Sequence, residues 1–189
     1  MIKADKSHKN LVIDILCQSF DNNKSVNWTI KQDRKRHERI KYLAEYSFET
    51  CLLFGAVYLS SDQKACALLL FPEQKKTKLK TILLDLKLAI KSIGVERVLK
   101  VLNKETLLKS FHPKKQYVYL WFIGVYPEFQ KQGIGSSLLR EIIENYRSPI
   151  CLETSASENV PWYISFGFKV YKELDDFGYK TSLMANNFE

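Results

Sequence analysis

Between Tyr117 and Arg147 the chain changes periodicity once, and that change limits what the fold can be. Tyr117 to Tyr126 is an apolar run rich in β-branched and aromatic residues, closed by Pro127. A run of that length and composition reads as a buried strand rather than a helix. A short polar loop then ends in Gln132-Gly133-Ile134-Gly135-Ser136, after which Ile134, Leu138, Leu139, Ile142 and Ile143 recur at helical spacing. Strand, glycine-bearing turn and helix start aim free backbone N–H groups, and the positive end of a helix dipole, at one point. Such a point binds phosphate or pyrophosphate, and glycine there lets the ligand approach the backbone.

The spacing narrows the ligand. A dinucleotide fingerprint would need a third glycine where Leu138 stands, and a Walker loop would need Gly-Lys-Ser/Thr, which is absent. The residues present are Val125-Tyr126-Pro127-Glu128-Phe129-Gln130-Lys131-Gln132-Gly133-Ile134-Gly135. This run resembles the V-x-P-x-x-Q-x-x-G-x-G motif of the GNAT acyl-CoA N-acyltransferases. A second stretch, Leu152 to Phe168, is similar to that family's fifth strand, short fourth helix and closing Y-x-x-x-G-F. Its L-E-T-S and N-V-P-W-Y wording is most similar to the puromycin N-acetyltransferase-like branch. The two matches cover 117 to 172, under a third of the chain. A flavodoxin-like or other α/β phosphate binder would account for the first stretch but not the second.

The resemblance implies an α/β (α+β) GNAT fold: a central mixed, mostly antiparallel sheet of about seven strands, flanked by helices. It implies acetyl-CoA as cosubstrate, a small-molecule amine as acceptor, direct transfer and no metal. The cofactor residues carried over are Ile123 and Val125 on the strand, Gln130, Lys131, Gln132, Gly133, Ile134, Gly135, Ser136 and Ser137 in the turn, and Asn159. Ile123 would pair with the pantetheine arm, and the Val125 N–H would face the oxyanion. Tyr163, four residues before Gly167-Phe168, matches the tyrosine whose hydroxyl faces the CoA sulfur. A phenol with an ordinary pKa of about 10 is protonated at neutral pH and can donate to the leaving thiolate.

Two departures from the family pattern stand out. Many members carry a carboxylate on the fourth strand, whereas Gln116 to Val125 has none. Glu153, at the end of the next strand, is the nearest candidate base. It reads equally as a carboxylate held by neighbouring backbone N–H groups. Many relatives also have asparagine seven residues before the tyrosine, where this chain has Ala156. Asn159 either takes over that CoA contact or caps the following helix.

The rest of the chain reads as one domain over 1–189, long enough to bury about 70% of its unfolded surface. Met1 to Ala4 suits a first strand, with Asp5 or Ser7 capping a helix whose face includes Leu11, Ile15 and Phe20. Asp21-Asn22-Asn23 stops it, and Ser25 to Ile30 follows as a loop. Trp28 there is either an acceptor contact or a packed aromatic. Asp33 to Glu49 reads as an amphipathic helix, then Leu52–Leu59 and Lys64–Phe71 as a hairpin. Between that hairpin and Tyr117, two helices are inserted over about 75–112, broken at Gly94 and ended by His112-Pro113. Their apolar positions, Leu79 to Ile93 and Val95 to Phe111, are expected to be buried and their lysines exposed. The insertion would then wall the acceptor side and favour neutral or anionic amines over polyamines. Residues 186–189 read as a frayed tail.

The net charge is +8, and the segment from Pro72 to Lys115, with twelve basic and four acidic residues, accounts for it. A basic face serves nucleic acid, an anionic cofactor or solvent alone. The alternative function is therefore a basic α/β or CoA-binding interaction module without catalysis. The aromatics are not interleaved with these lysines as a base-stacking platform requires, so nucleic acid is not the expected partner. No apolar run reaches membrane-span length, and the start lacks a signal core, so a cytoplasmic monomer or homodimer is expected. Cys17, Cys51, Cys66 and Cys151 lie in apolar segments without C-x-x-C spacing and read as reduced buried thiols.

Overall fold

The computed structural model describes residues 1–187. Strands β1 (Ile2–Lys3), β2 (Gly55–Leu59), β3 (Ala65–Leu70), β4 (Val118–Val125), β5 (Ile150–Thr154), β6 (Lys169–Leu174) and β7 (Thr181–Ala185) form one sheet in the order β1-β2-β3-β4-β5-β7-β6. β4 and β5 run parallel; the other pairs among the described residues are antiparallel. This is the mixed, mostly antiparallel sheet that the resemblance implied. β3 is buried along its whole length, as its unbroken apolar run requires of a central strand covered on both faces.

Helices α1 (Lys9–Ser19) and α3 (Arg36–Phe54) cover one face through Val12, Ile15, Leu16, Phe48 and Cys51. α6 (Ile134–Asn145) and α7 (Val160–Ser165) cover the other through Leu138, Leu139, Ile142 and Tyr163. Asp5 caps the first turn by accepting from Ser7 N–H at 2.8 Å. All four cysteines are free, three of them buried and Cys17 half-buried. Among the described residues, no helix is long and apolar enough to cross a membrane.

Several local expectations are corrected. Ser25 to Ile30 is not a loop: α2 (Lys24–Thr29) forms because the Asn23 side chain accepts from Val26 N–H at 3.1 Å and caps its start. α3 runs on to Phe54, and β2 begins only at Gly55. Cys51 and Phe54 continue the buried helical face, and a Cβ at Gly55 would lie 2.0 Å from the Leu69 carbonyl oxygen. Asn186, read as tail, is buried; it donates to Ile150 O at 3.1 Å and its side chain accepts from Ile150 N–H at 2.6 Å. Residues 188 and 189 lie outside the described residues.

The largest correction concerns the segment between β3 and β4. It is helical, with α4 (Leu79–Leu88), a π turn over Ala89–Ile93, a break at Gly94 and α5 (Val98–Ser110). Its apolar positions are only partly buried: Ile93 and Leu108 are, whereas Leu79 is 75% exposed and Leu99 76%, with Ile82, Leu83, Leu86, Ile90, Val95 and Leu102 exposed as well. α4 instead turns Thr81 and Asp85 towards the body of the protein, where Asp85 accepts from the Tyr46 hydroxyl at 2.7 Å. The lysines do not all face water either. Lys80 and Lys87 pair with Glu49 and Glu45, and Lys104 is only 5% exposed.

Candidate active site

The β4–β5 ladder stops at Leu120↔Leu152, while β4 continues along β3 to Val125↔Ala65. The remainder of β4 therefore parts from β5 and leaves a wedge with one unpaired edge. Trp121 is an extra residue against β3, between Leu68↔Phe122 and Leu69↔Leu120. The bulge resets the alternation. Tyr119, Trp121 and Phe122 pack towards α1 and α3, whereas Ile123 and Val125 pack towards α6. No composition rule in the sequence marks that bulge.

At the mouth of the wedge, Gly133 stands before the first turn of α6 with φ +82°, a left-handed conformation that favours glycine. Lys131 also has positive φ, at 60°. No side chain caps α6, so the N–H groups of its first turn remain directed outward. A Cβ on Gly133 would meet nothing within 4 Å. That open, donor-lined turn suits a pyrophosphate, and positive φ is the stronger reason for glycine at 133. Gly135 has a different reason: its Cβ would lie 3.2 Å from Val125 Cγ2, so it sets how closely helix and strand approach.

The polar side chains of the turn hold it together. Gln130 donates to Val125 O and Gln132 to Glu128 O, both at 3.1 Å. Ser136 accepts from Trp162 Nε1 at 2.9 Å, which ties α7 to the start of α6. Lys131 and Ser137 are exposed. Asn159 precedes α7 but its side chain makes no capping bond, so the capping alternative is not found.

Tyr163 follows Trp162 on α7, 7% exposed, with its ring 5.7 Å from that of Phe168. Burial pushes its phenol well above the ordinary value, so it remains a proton donor at any physiological pH.

On the opposite face, Glu153 is held by a side chain. His112 Nε2 lies 2.8 Å from its Oε1, and His112 Nδ1 lies 2.8 Å from the Tyr117 hydroxyl. The Tyr119 phenol is raised far above its usual range by burial, then by the charges of Glu153 and Glu105. Glu105 on α5 keeps half of its side chain exposed. One carboxylate, one histidine and two tyrosines therefore meet at the start of β4. Sequence reading missed His112 and Tyr117, because the pairing depends on β4 and β5 lying side by side.

Trp28 packs as part of a cluster. Its ring lies 5.4 Å from that of Phe177 and carries Lys100 and Lys104 at 4.8 and 4.9 Å. The Lys104 ammonium donates to Ser25 Oγ and to the Tyr179 hydroxyl, both at 2.8 Å. Buried without a carboxylate, it is satisfied by hydroxyls and rings. This pins α5 to α2 and to the β6–β7 turn. The Ser155 hydroxyl, just beyond β5, accepts from Ser25 N–H at 3.3 Å, so α2 borders the wedge.

Residues 90–170 match the model of the family described as "Acetyltransferase (GNAT) domain". Solved structures agree with the whole architecture. A histone acetyltransferase HPA2 and related acetyltransferase from Corynebacterium glutamicum superposes with TM-score 0.69 at 19% identity, over 98% of this chain and 93% of the other. The arylalkylamine N-acetyltransferase 2 of Aedes aegypti gives 0.60 at 16% identity, over 98% and 96%. The C-terminal condensation domain of Ebony, bound to beta-alanyl-dopamine, gives 0.67 at 10% identity, also over 98% and 96%. At these identities the structures speak for the fold alone. The family match spans the wedge, the glycine turn and α7, so residues 90–170 match a GNAT acetyltransferase domain, and the chain as a whole has the fold those structures share.

Proposed function

We propose that this protein moves the acetyl group of acetyl-CoA directly to the amine of a small molecule. The observation that carries the reading is the wedge left where β4 parts from β5, with the uncapped start of α6 at its mouth and Tyr163 beside it. In this reading the N–H groups of the turn from Gln130 to Ser137 hold the pyrophosphate. The unpaired edge at Ile123 and Val125 takes the pantetheine arm as an added strand, and Asn159 lies along the same arm. The V-x-P and N-V-P-W-Y wording further supports the puromycin N-acetyltransferase-like branch.

The chemistry asks little more of the protein. Glu153 takes one proton from the incoming ammonium, which frees the nitrogen lone pair to form the C–N bond at the thioester carbon. The Val125 N–H meets the oxygen that becomes negative. The C–S bond then breaks, sulfur leaves with the electron pair, and Tyr163 supplies its proton. The excess proton on the new amide nitrogen returns through water to Tyr163, and that on Glu153 goes to solvent. Holding both reactants in register supplies much of the rate.

Acetyl-CoA binding by calorimetry, followed by thiol release with a panel of primary amines, tests the reading. Saturable binding with amine-dependent thiol release is expected. Binding with no turnover across the panel would make the chain a CoA-binding module, and no binding would refute the reading altogether.

A further inference from the structure

Glu153 does not stand alone, and its partner comes from a part of the chain that neither glycine turn nor α7 touches. His112 closes the inserted segment just before β4, and its side chain is 7% exposed. Both ring nitrogens are engaged at 2.8 Å, Nε2 by Glu153 and Nδ1 by Tyr117. The Tyr119 ring lies 5.3 Å from the imidazole centre and that of Tyr117 5.4 Å, so the imidazole is packed between two inclined rings. We propose that His112 is a positioning residue for the base: it holds the Glu153 carboxylate towards the acceptor. The proposal rests on the acetyl-transfer reading and extends it.

The hydrogen-bond inventory gives the reason. A neutral imidazole has one donor and one acceptor nitrogen. Glu153 can only accept, so Nε2 carries the proton, and Nδ1 is left to accept from the Tyr117 hydroxyl. In that state the carboxylate is oriented by a neutral donor and remains free to take a proton from an ammonium.

Tyr119 from β4 and Tyr171 from β6 are neutral neighbours, their phenols raised first by burial. His112 reaches Glu153 at hydrogen-bond distance from the end of the inserted segment.

Two measurements on the intact protein test this. The first follows the His112 imidazole resonances against pH by NMR, without acceptor, in the natural protein and in Glu153→Gln. Removing the carboxylate is expected to displace the His112 ring resonances and to speed exchange of the Nε2 proton with water; unchanged resonances and exchange overturn the pairing. The second measures thiol release from acetyl-CoA with 2-phenylethylamine as probe amine across pH. His112→Gln, which keeps an N–H donor, is expected to lower kcat about 10-fold with KM for acetyl-CoA unchanged. His112→Ala, with no donor, should lose about 100-fold. Equal losses in the two variants, or a loss in KM rather than in kcat, overturn the positioning role. CoA calorimetry on the same samples separates this outcome from failure of the acetyl-transfer reading. If CoA does not bind, that reading falls, while the NMR comparison still decides the pair.

Discussion

The Trp162 indole donates to the Ser136 hydroxyl at 2.9 Å, joining the helix that carries Tyr163 to the first turn of the helix that faces the proposed pyrophosphate. The proposed proton donor and anion cradle are thus parts of one unit. Trp162→Phe keeps the ring contacts with Tyr163 and Phe166 but removes the bond. A neutral hydrogen bond contributes about 0.5–1.5 kcal/mol. The dissociation constant of CoA, read by calorimetry, is expected to rise between about twofold and tenfold.

Gly133 separates backbone strain from ligand contact. Any Cβ there is sterically free within the protein, yet φ +82° costs a non-glycine residue about 1–2 kcal/mol. Gly133→Ala should leave a folded protein by circular dichroism and weaken CoA about tenfold as the turn relaxes. Unaltered affinity in the folded variant would remove the pyrophosphate from this turn.

Tyr163→Phe tests the leaving-group role. General acids contribute about 10²–10⁴-fold, so kcat should fall in that range with CoA affinity unchanged. Burial also gives a stability prediction. The folded-state value is raised above the ordinary one, so the stability tied to the neutral phenol is complete below about pH 10 and is lost as pH rises further. The melting temperature of the natural protein should therefore fall more steeply above pH 10 than that of the Phe variant.

Lys104 predicts an asymmetry. Tyr179→Phe leaves a buried ammonium short of one hydroxyl and should cost about 2 kcal/mol, lowering the melting temperature by about 4–8 °C. Lys104→Met removes the charge together with its requirements and should cost less. Thermal scans of the two variants side by side give the comparison.

The inserted helices allow a direct test of where their weight lies. Leu108 is buried against Leu174 and Leu183, whereas Leu83 and Leu99 face solvent. Urea unfolding should show Leu108→Ala costing about 2–5 kcal/mol. Leu83→Ser and Leu99→Ser should stay within about 0.5 kcal/mol of the natural protein.

The sequence by itself determined whatever depends on neighbours along the chain. The β4–turn–α6 unit was legible because a strand period, two glycines and a helix period follow one another without interruption. The family resemblance, the α/β class, the helical character of the inserted segment and the positions of Tyr163 and the glycine turn came from the same local order. Tertiary structure alone decided what depends on distant segments meeting. Nothing near His112 announces Glu153, because forty-one positions separate them until the parallel pairing of β4 and β5 brings them together. The bulge at Trp121 follows from β4 matching β3, and the burial of Lys104 from hydroxyls and rings supplied by α2 and the β6–β7 turn. The stripe from Leu79 to Ile90 shows the limit most plainly: helical period fixes which side chains share a face, while burial depends on which other element reaches that face.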